Sequence, residues 1–400
     1  MNDALEKPTK IIWGNAVFLF LTPLLSVILA PLYLVHYGFS WPPMIAALTL
    51  FALTGLGITS GYHRLWSHRT YKAAAPIRLI LAIIGGSAWQ NSIVEWCSDH
   101  RRHHRFVDTD EDPYNAQKGF WWSHMGWILV ERSKNDFSNV KDLLRDPICK
   151  WQHDHYYKIT IAFNVGVPLV LGLIFNEVLG MLLFAGLVRV VLVHHVTFCI
   201  NSLAHMIGNQ QWSRENSARD SWVLGMLTFG EGYHNYHHAF ETDYRNGPLW
   251  YNFDPAKWLI WCMSKVNLAW DIRRTPADLV LRKRYEERRE DMAEVLQTFG
   301  QRIETWREEV SERAAHHASA ARQGLESHLL RAEERLENAF SDMRKARNAY
   351  AAARRSEASK RELQTLRAAA KHAHRSVKTA FSEWEQVLTD WTAVAVPVPA

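Results

Sequence analysis

The chain has few cysteines, and none of them pair by spacing. Cys97, Cys149, Cys199 and Cys262 are scattered and form no C-x-x-C, which excludes a disulfide framework and a thiolate metal site and leaves four reduced thiols. The apolar segments carry no Glu-x-x-His, the signature of carboxylate-rich di-iron bundles. Charge of one sign is also scarce. A net +5 over 400 residues gives no case for nucleic-acid binding. A mean hydropathy of −0.21 lacks the usual mark of a membrane protein. That average misleads, because a very polar final stretch of about 110 residues dilutes an apolar front half. Eighteen Trp suit interfacial aromatic belts.

A membrane span needs roughly 20 mainly apolar residues. Four segments qualify: 11–34, 44–61, 159–175 and 178–203, the last containing Arg189, His194 and His195. The first follows Lys7 and Lys10, is too long for a signal-peptide core, and reads as a retained span. Two short links, 35–43 and 176–177, make the spans two membrane hairpins. Neither link holds Lys or Arg, whereas 63–157 holds 13, which places that long segment and both termini on the cytoplasmic side. The run 77–88 is too short to span and is expected to lie in the interface or cap the site.

No proline occurs between Pro276 and Pro397. Apolar residues there recur every seven positions. One row is Met292, Phe299 and Trp306, beside Leu296, Ile303 and Val310. Another is Leu329, Leu336, Met343 and Tyr350, beside Leu325, Ala332, Ala339 and Ala346. A third is Leu363, Ala370, Val377, Trp384 and Trp391. This is coiled-coil patterning. Turns are expected at Gly324 and near Ser356, giving a helical hairpin or small bundle, with solvated single helices as the alternative. Self-association, a partner or the bilayer surface are candidate roles for these helices.

Histidine is what the chain has in concentration. His63 and His68 form an HxxxxH pair, and His100, His103, His104 and His234, His237, His238 form two HxxHH clusters. With His205 they make nine imidazoles just outside apolar segments. Neutral imidazole binds iron, zinc and copper, and nine ligands suit two ions. On an α-helix, residues four apart share a face, so the first and last histidines of HxxHH can grip one ion while the middle one turns to a second. Residues five apart do not share an α-helical face, so the HxxxxH pair is expected where the second span unwinds. His36, His124, His153, His155, His194, His195, His316, His317, His328, His372 and His374 lack a second motif member and read as structural, surface or supporting residues. Two metals at a membrane surface point to oxygen chemistry on a greasy substrate, for which a redox metal, paired iron, is the usual solution.

At these residues the chain resembles the membrane-bound acyl-CoA Δ9 desaturases, the stearoyl-CoA desaturase family. Gly61–His68, Glu95–His104 and Glu231–His238 look like its three histidine boxes, and Asn201–His205 is similar to its extra ligand segment. Trp89-Gln-Asn91, Asp112-Pro113 and Gly119–Gly126 also match, and the similarity runs over about residues 10–275. The resemblance implies an all-α membrane protein with four spans under a cytosolic helical cap, a desaturase domain over 1–275 and a coiled-coil-like helical extension over 276–400. It implies one iron on His63, His68, His100, His104 and His237. The other would sit on His103, His205, His234 and His238, with Asn201 reaching it through water. Asn91, Asp99 and Phe198 match positions near the substrate. The acyl chain would lie in a bent tunnel whose kink fixes a cis product.

The implied activity is O2-dependent desaturation of a saturated long-chain acyl-CoA. Ser98, Glu131, Arg132 and Phe198 depart from the animal pattern, and the positive charges lost with them leave a phospholipid as the alternative acyl carrier. No His-Pro-Gly-Gly marks a fused cytochrome b5, so electrons would come from a separate ferredoxin or rubredoxin with its reductase, in a bacterial inner membrane. A histidine-rich membrane hydroxylase is the rival, although Arg64 replaces the Glu of the alkane hydroxylases' first box. A membrane metal carrier or sensor is the rival from another class.

Overall fold

Apolar length dictates the first half of the chain. The computed structural model describes residues 10–131, 137–290 and 312–395. Four helices in it are long and apolar enough to cross a bilayer: Trp13–Tyr37, Trp41–Ser67, Tyr156–Phe175 and Val178–His205. Each lies within a few residues of its sequence expectation, extended by a turn or so into polar flanks. Their lipid-compatible faces stay open in the isolated chain, with Val17, Phe20, Val27, Leu48 and Leu173 exposed. This is an integral membrane protein.

Local chemistry sets the two short links. Gly38 ends the first helix at φ +77°, and Pro42-Pro43 opens the second. Asn176 ends the third in the left-handed region and its neighbour Glu177 bonds back to Gly172. The Ser40 hydroxyl donates to the Glu177 carboxylate at 2.6 Å, so both links lie at the same end of the spans.

Polar residues of the fourth span turn inward rather than break it. Arg189 is fully buried and donates to the Ala185 carbonyl, the Thr54 hydroxyl, the Ser87 carbonyl and the Asn164 side chain. His194 donates to the Ala88 carbonyl at 2.9 Å. A membrane interior tolerates such groups only when every donor finds an acceptor.

The short run after the first histidine box forms the helix Ala75–Gly86, which buries Leu81, Ala82, Gly85 and Gly86 and packs on the end of the second span. Gly57 and Gly85 make that approach close. A Cβ on Gly57 would lie 2.6 Å from the Gly85 nitrogen. A two-residue antiparallel ladder, Lys72 opposite Trp270 and Ala73 opposite Ala269, ties this region to the chain's later part.

By its internal contacts the chain divides into two units, 1–210 with 214–274, and 211–213 with 275–400. The second holds two long helices, Glu312–Arg355 and Lys360–Ala395, joined by a turn at 356–359. The turn near Ser356 is as expected, but Gly324 is no turn, because the first helix runs straight through it. A helical glycine costs only about 1 kcal/mol relative to alanine, less than the buried seam returns. That seam is the heptad pattern. Leu329, Ala332, Leu336, Phe340 and Met343 face Ala373, Val377, Phe381, Trp384 and Leu388, with Tyr285 beside them. Arg335 pairs across the helices with Glu383 at 3.6 Å. The row containing Met292, Phe299, Trp306, Leu296, Ile303 and Val310 lies outside the described residues, as do the side chains of Leu325 and Trp391.

Leu336 is fully buried in the hairpin and Leu330 is exposed. Leu336→Ala should destabilise the hairpin by about 2–5 kcal/mol, while Leu330→Ala should have little effect. Limited proteolysis of the full chain checks this: faster cleavage within 323–390 for the first variant alone is expected, and equal rates would count against the seam.

Candidate metal centre

The second span continues past Leu56 as a π-helical stretch, Gly57–Ser67. Its i→i+5 bonding reaches from His68 N to His63 O at 3.0 Å. Here the expectation of unwinding fails in an informative way. The helix widens instead, and five-residue spacing then brings the His63 and His68 rings to 4.7 Å.

The second box lies on the helix Ile93–Phe106, started by a capping box in which the Ser92 hydroxyl accepts from Glu95 N and the Glu95 carboxylate accepts from Ser92 N. The third box lies on the short helix His234–Ala239. Gly232 just before it permits that placement, since a Cβ there would lie 2.1 Å from the Gly225 nitrogen.

The nine histidines gather into two groups. His63, His68, His100, His104 and His237 form one; His103, His205, His234 and His238 form the other. Within each group the ligand-capable atoms lie within 4.8 Å of one another. Nε2 faces Nε2 at 2.8 Å for His68 and His100, and at 3.0 Å for both His63 with His237 and His237 with His104. In the second group His205 and His234 stand at 3.1 Å, His234 and His238 at 3.2 Å, His103 and His238 at 3.3 Å.

Several outer Nδ1 atoms have acceptors of their own. His63 meets Glu231 at 2.8 Å, His103 meets Asp112 at 2.9 Å, and His104 meets Glu241 at 3.3 Å. His205 meets the Ser217 hydroxyl at 2.8 Å, which in turn donates to Asp108 at 2.6 Å. Where Nδ1–H donates outward, as from His103 to Asp112 and from His205 to Ser217, Nε2 presents a lone pair inward. Converging lone pairs repel unless a cation lies among them. Two nitrogens bound cis to a metal at about 2.1 Å would stand roughly 3 Å apart, the separation seen here. The donor set therefore fits a pair of metal ions.

Electrostatics agree. Burial first, then the neighbouring imidazoles, hold His68, His100, His234, His237 and His238 well below their ordinary value. Burial likewise takes His104 down to about 4, against the pull of Glu241. The rings are neutral at neutral pH, as ligands must be. Burial alone would raise Glu231, but His63, Arg64 and Thr59 override it and hold the carboxyl down at about 2. Arg64 is buried and spans Glu231, Asp254 and the Tyr244 carbonyl, locking the first box to the third.

A cavity of about 650 Å³ adjoins the first histidine group. Trp96, stacked on His100 at 4.8 Å, and Tyr114, whose hydroxyl lies 3.3 Å from His100 Nδ1, belong to both. Asn91, Asp99, Phe198 and Asn201 all line this cavity, and so does Glu131. Asn91 adopts φ +75°. Ser98 does not line it; its hydroxyl donates to Asn139 at 2.8 Å. Arg132 lies outside the described residues. His124 joins neither metal group and instead pairs with His195 and Ser202.

The supporting residues Asp112, Glu231, Glu241, Ser217 and Asp108 were not assigned from sequence. Asp112 and Glu231 lie inside recognisable motifs, which was a usable signal. Glu241, Ser217 and Asp108 gave none.

The description "Fatty acid desaturase" belongs to a family model that matches residues 39–271. The chain is 43% identical over 272 residues to "Probable acyl-CoA desaturase" of Schizosaccharomyces pombe, covering 66% of this chain and 55% of that protein. It is 44% identical over 227 residues to "Acyl-CoA desaturase 1" of Saccharomyces cerevisiae, covering 56% and 44%. It is 38% identical over 284 residues to "Stearoyl-CoA desaturase 5" of Bos taurus, covering 68% and 82%. The matched stretch thus spans about half the length of the two fungal relatives. With its histidine groups at the ends of apolar spans and a matching stretch longer than half its length, this chain belongs to the fatty acid desaturase family.

Proposed function

We propose that the chain is an O2-dependent fatty acyl desaturase that introduces a cis double bond, at Δ9, into a saturated long-chain acyl-CoA. The observation that carries this reading is a pair of buried all-histidine groups, the first of them adjoining a cavity with aromatic walls. The names of the yeast and bovine relatives support the acyl-CoA substrate. Two irons are the proposed metals, one on His63, His68, His100, His104 and His237, the other on His103, His205, His234 and His238, with Asn201 near the second through water. All-nitrogen sites suit iron, copper or zinc, and oxygen chemistry selects a redox metal.

The overall reaction takes two hydrogens from adjacent methylenes. With O2, two external electrons and two protons, it yields the alkene and two waters. Bound iron would supply the oxygen activation and the electron relay. The chain's own residues do the rest. Asp112 and Ser217 fix ring orientation and tautomer by accepting from Nδ1 of His103 and His205, and Glu231 and Glu241 stand as carboxylate partners beside Nδ1 of His63 and His104. Phe18, Trp89, Trp96, Trp127 and Phe198 give the cavity an aromatic wall against which an acyl chain would pack and displace water. An alkyl chain has no polar handle, so position along it is set by cavity length and by headgroup contacts at Asn91 and Asp99. We place the histidine face on the cytoplasmic side of a bacterial inner membrane, with electrons from a separate ferredoxin or rubredoxin.

Cells expressing the chain should accumulate new monounsaturated acids on gas chromatography. Hydroxy acids would favour the hydroxylase reading, and an unchanged profile would contradict both. Purified enzyme should desaturate labelled acyl-CoA in preference to labelled phospholipid, and the reverse preference would overturn the carrier.

His104→Ala should abolish turnover, whereas His155→Ala, at an exposed ring, should leave it near wild type. Full activity in the first variant would contradict the ligand assignment. Glu231→Gln should lower activity by about 10–100-fold through loss of the His63 partner, and a wild-type rate would remove its orienting role.

The metal-free protein should also respond to pH with a defined sign. Its histidines bind fewer protons folded than unfolded between pH 6.5 and about 4, so stability is intact above that window and is lost as pH falls through it. Thermal melting of metal-stripped protein should show Tm falling across this range, and a flat Tm would contradict neutral buried rings.

A further inference from the structure

The C-terminal hairpin buries its apolar seam, so charge dominates its outer surface. The charge is strongly sorted along its length. Residues 343–378, which include the turn, hold 11 Lys/Arg and 2 Asp/Glu, whereas 323–342 and 379–395 together hold 2 Lys/Arg and 8 Asp/Glu. The two helices run antiparallel, as Leu336 and Phe340 share a core with Val377 and Phe381. The basic stretches therefore lie side by side at the turn end and the acidic stretches at the other. At 1.5 Å per residue the basic end is roughly 20–30 Å long.

That end is not internally neutralised. Arg354, Arg355, Lys360, Arg361, Arg367 and Lys371 are exposed. Among the described residues none of the six forms a salt bridge, whereas Arg347 pairs with Asp278 and Lys345 with Asp342. The only large apolar side chain exposed on the described hairpin is Leu330, outside the basic stretch. A stable contact with a second copy needs an apolar interface core, and none is offered. A cationic surface without apolar anchors suits instead a dispersed array of anionic groups. The same polypeptide crosses a bilayer four times, so anionic headgroups stand at high effective concentration near the hairpin.

We propose that the turn end of the C-terminal hairpin docks on the anionic phospholipid headgroups of a bilayer surface. This rests on the membrane spans and not on the desaturation chemistry.

The test uses the full chain in nanodiscs, with a donor fluorophore on Ser356→Cys in a Cys262→Ser background and acceptor-labelled lipid in the disc. The same protein without Ser356→Cys is the blank. Energy transfer should be about threefold or more higher in discs containing about one-third phosphatidylglycerol than in pure phosphatidylcholine. It should fall to the neutral-disc level at about 0.5 M salt, where screening shortens the range of the attraction. It should also be lost on combining Arg354→Glu, Arg355→Glu, Lys360→Glu and Arg361→Glu, with helicity checked by circular dichroism. Equal transfer in the two discs, or salt-insensitive transfer, overturns the proposal without needing any variant. Transfer that is lost only when an acidic polypeptide such as poly-glutamate competes, and is equal in both discs beforehand, overturns it in favour of a protein partner. No turnover is measured, so a negative result leaves the desaturase reading intact.

Discussion

Nine imidazoles brought together in two largely buried groups are the constraint on which the rest of this molecule depends. Nitrogens held 2.8–3.3 Å apart with lone pairs facing inward are unfavourable by themselves. They become favourable when cations sit among them, and the fold is arranged to hold them ready. Burial keeps His68, His100, His104, His234, His237 and His238 neutral, and carboxylates or a hydroxyl beside the far nitrogen of several rings keep the ligating face inward. Removing such an acceptor lets the ring rotate or change tautomer, which is a different failure from removing the ring.

Each piece of surrounding architecture serves that convergence. The second span widens to place His63 and His68 together. Gly232 lets the third box approach within a backbone's thickness of the Leu224–Gly225 turn. Arg64 pairs with Glu231 and Asp254 at once, so two buried carboxylates share one buried guanidinium. Trp96 and Tyr114 line the cavity and also touch His100, so the cavity wall and the first histidine group are mechanically linked.

Much of this was legible in the sequence. Spans follow from apolar length, and the pairing of the first and last histidines within each HxxHH follows from helical period. What was not legible had local causes. Five-residue spacing fits no face of a 3.6-residue helix and points to unwinding at the end of the second span, because no sequence rule announces a π-helical stretch at Gly57–Ser67. Gly324 was read as a stop, but the seam at Leu329 and Leu336 outweighs one glycine. Glu241 and Ser217 reach their histidines across more than 130 residues and 12 residues respectively, without periodicity to betray them. The basic turn end of the hairpin was written in the composition all along, but only the antiparallel pairing sets its two halves side by side.

Elemental analysis of active, detergent-solubilised full-length protein is the most direct measurement. Two irons per chain is the expected result, one for each histidine group. Active protein that contains zinc alone, or no metal, would contradict the central claim.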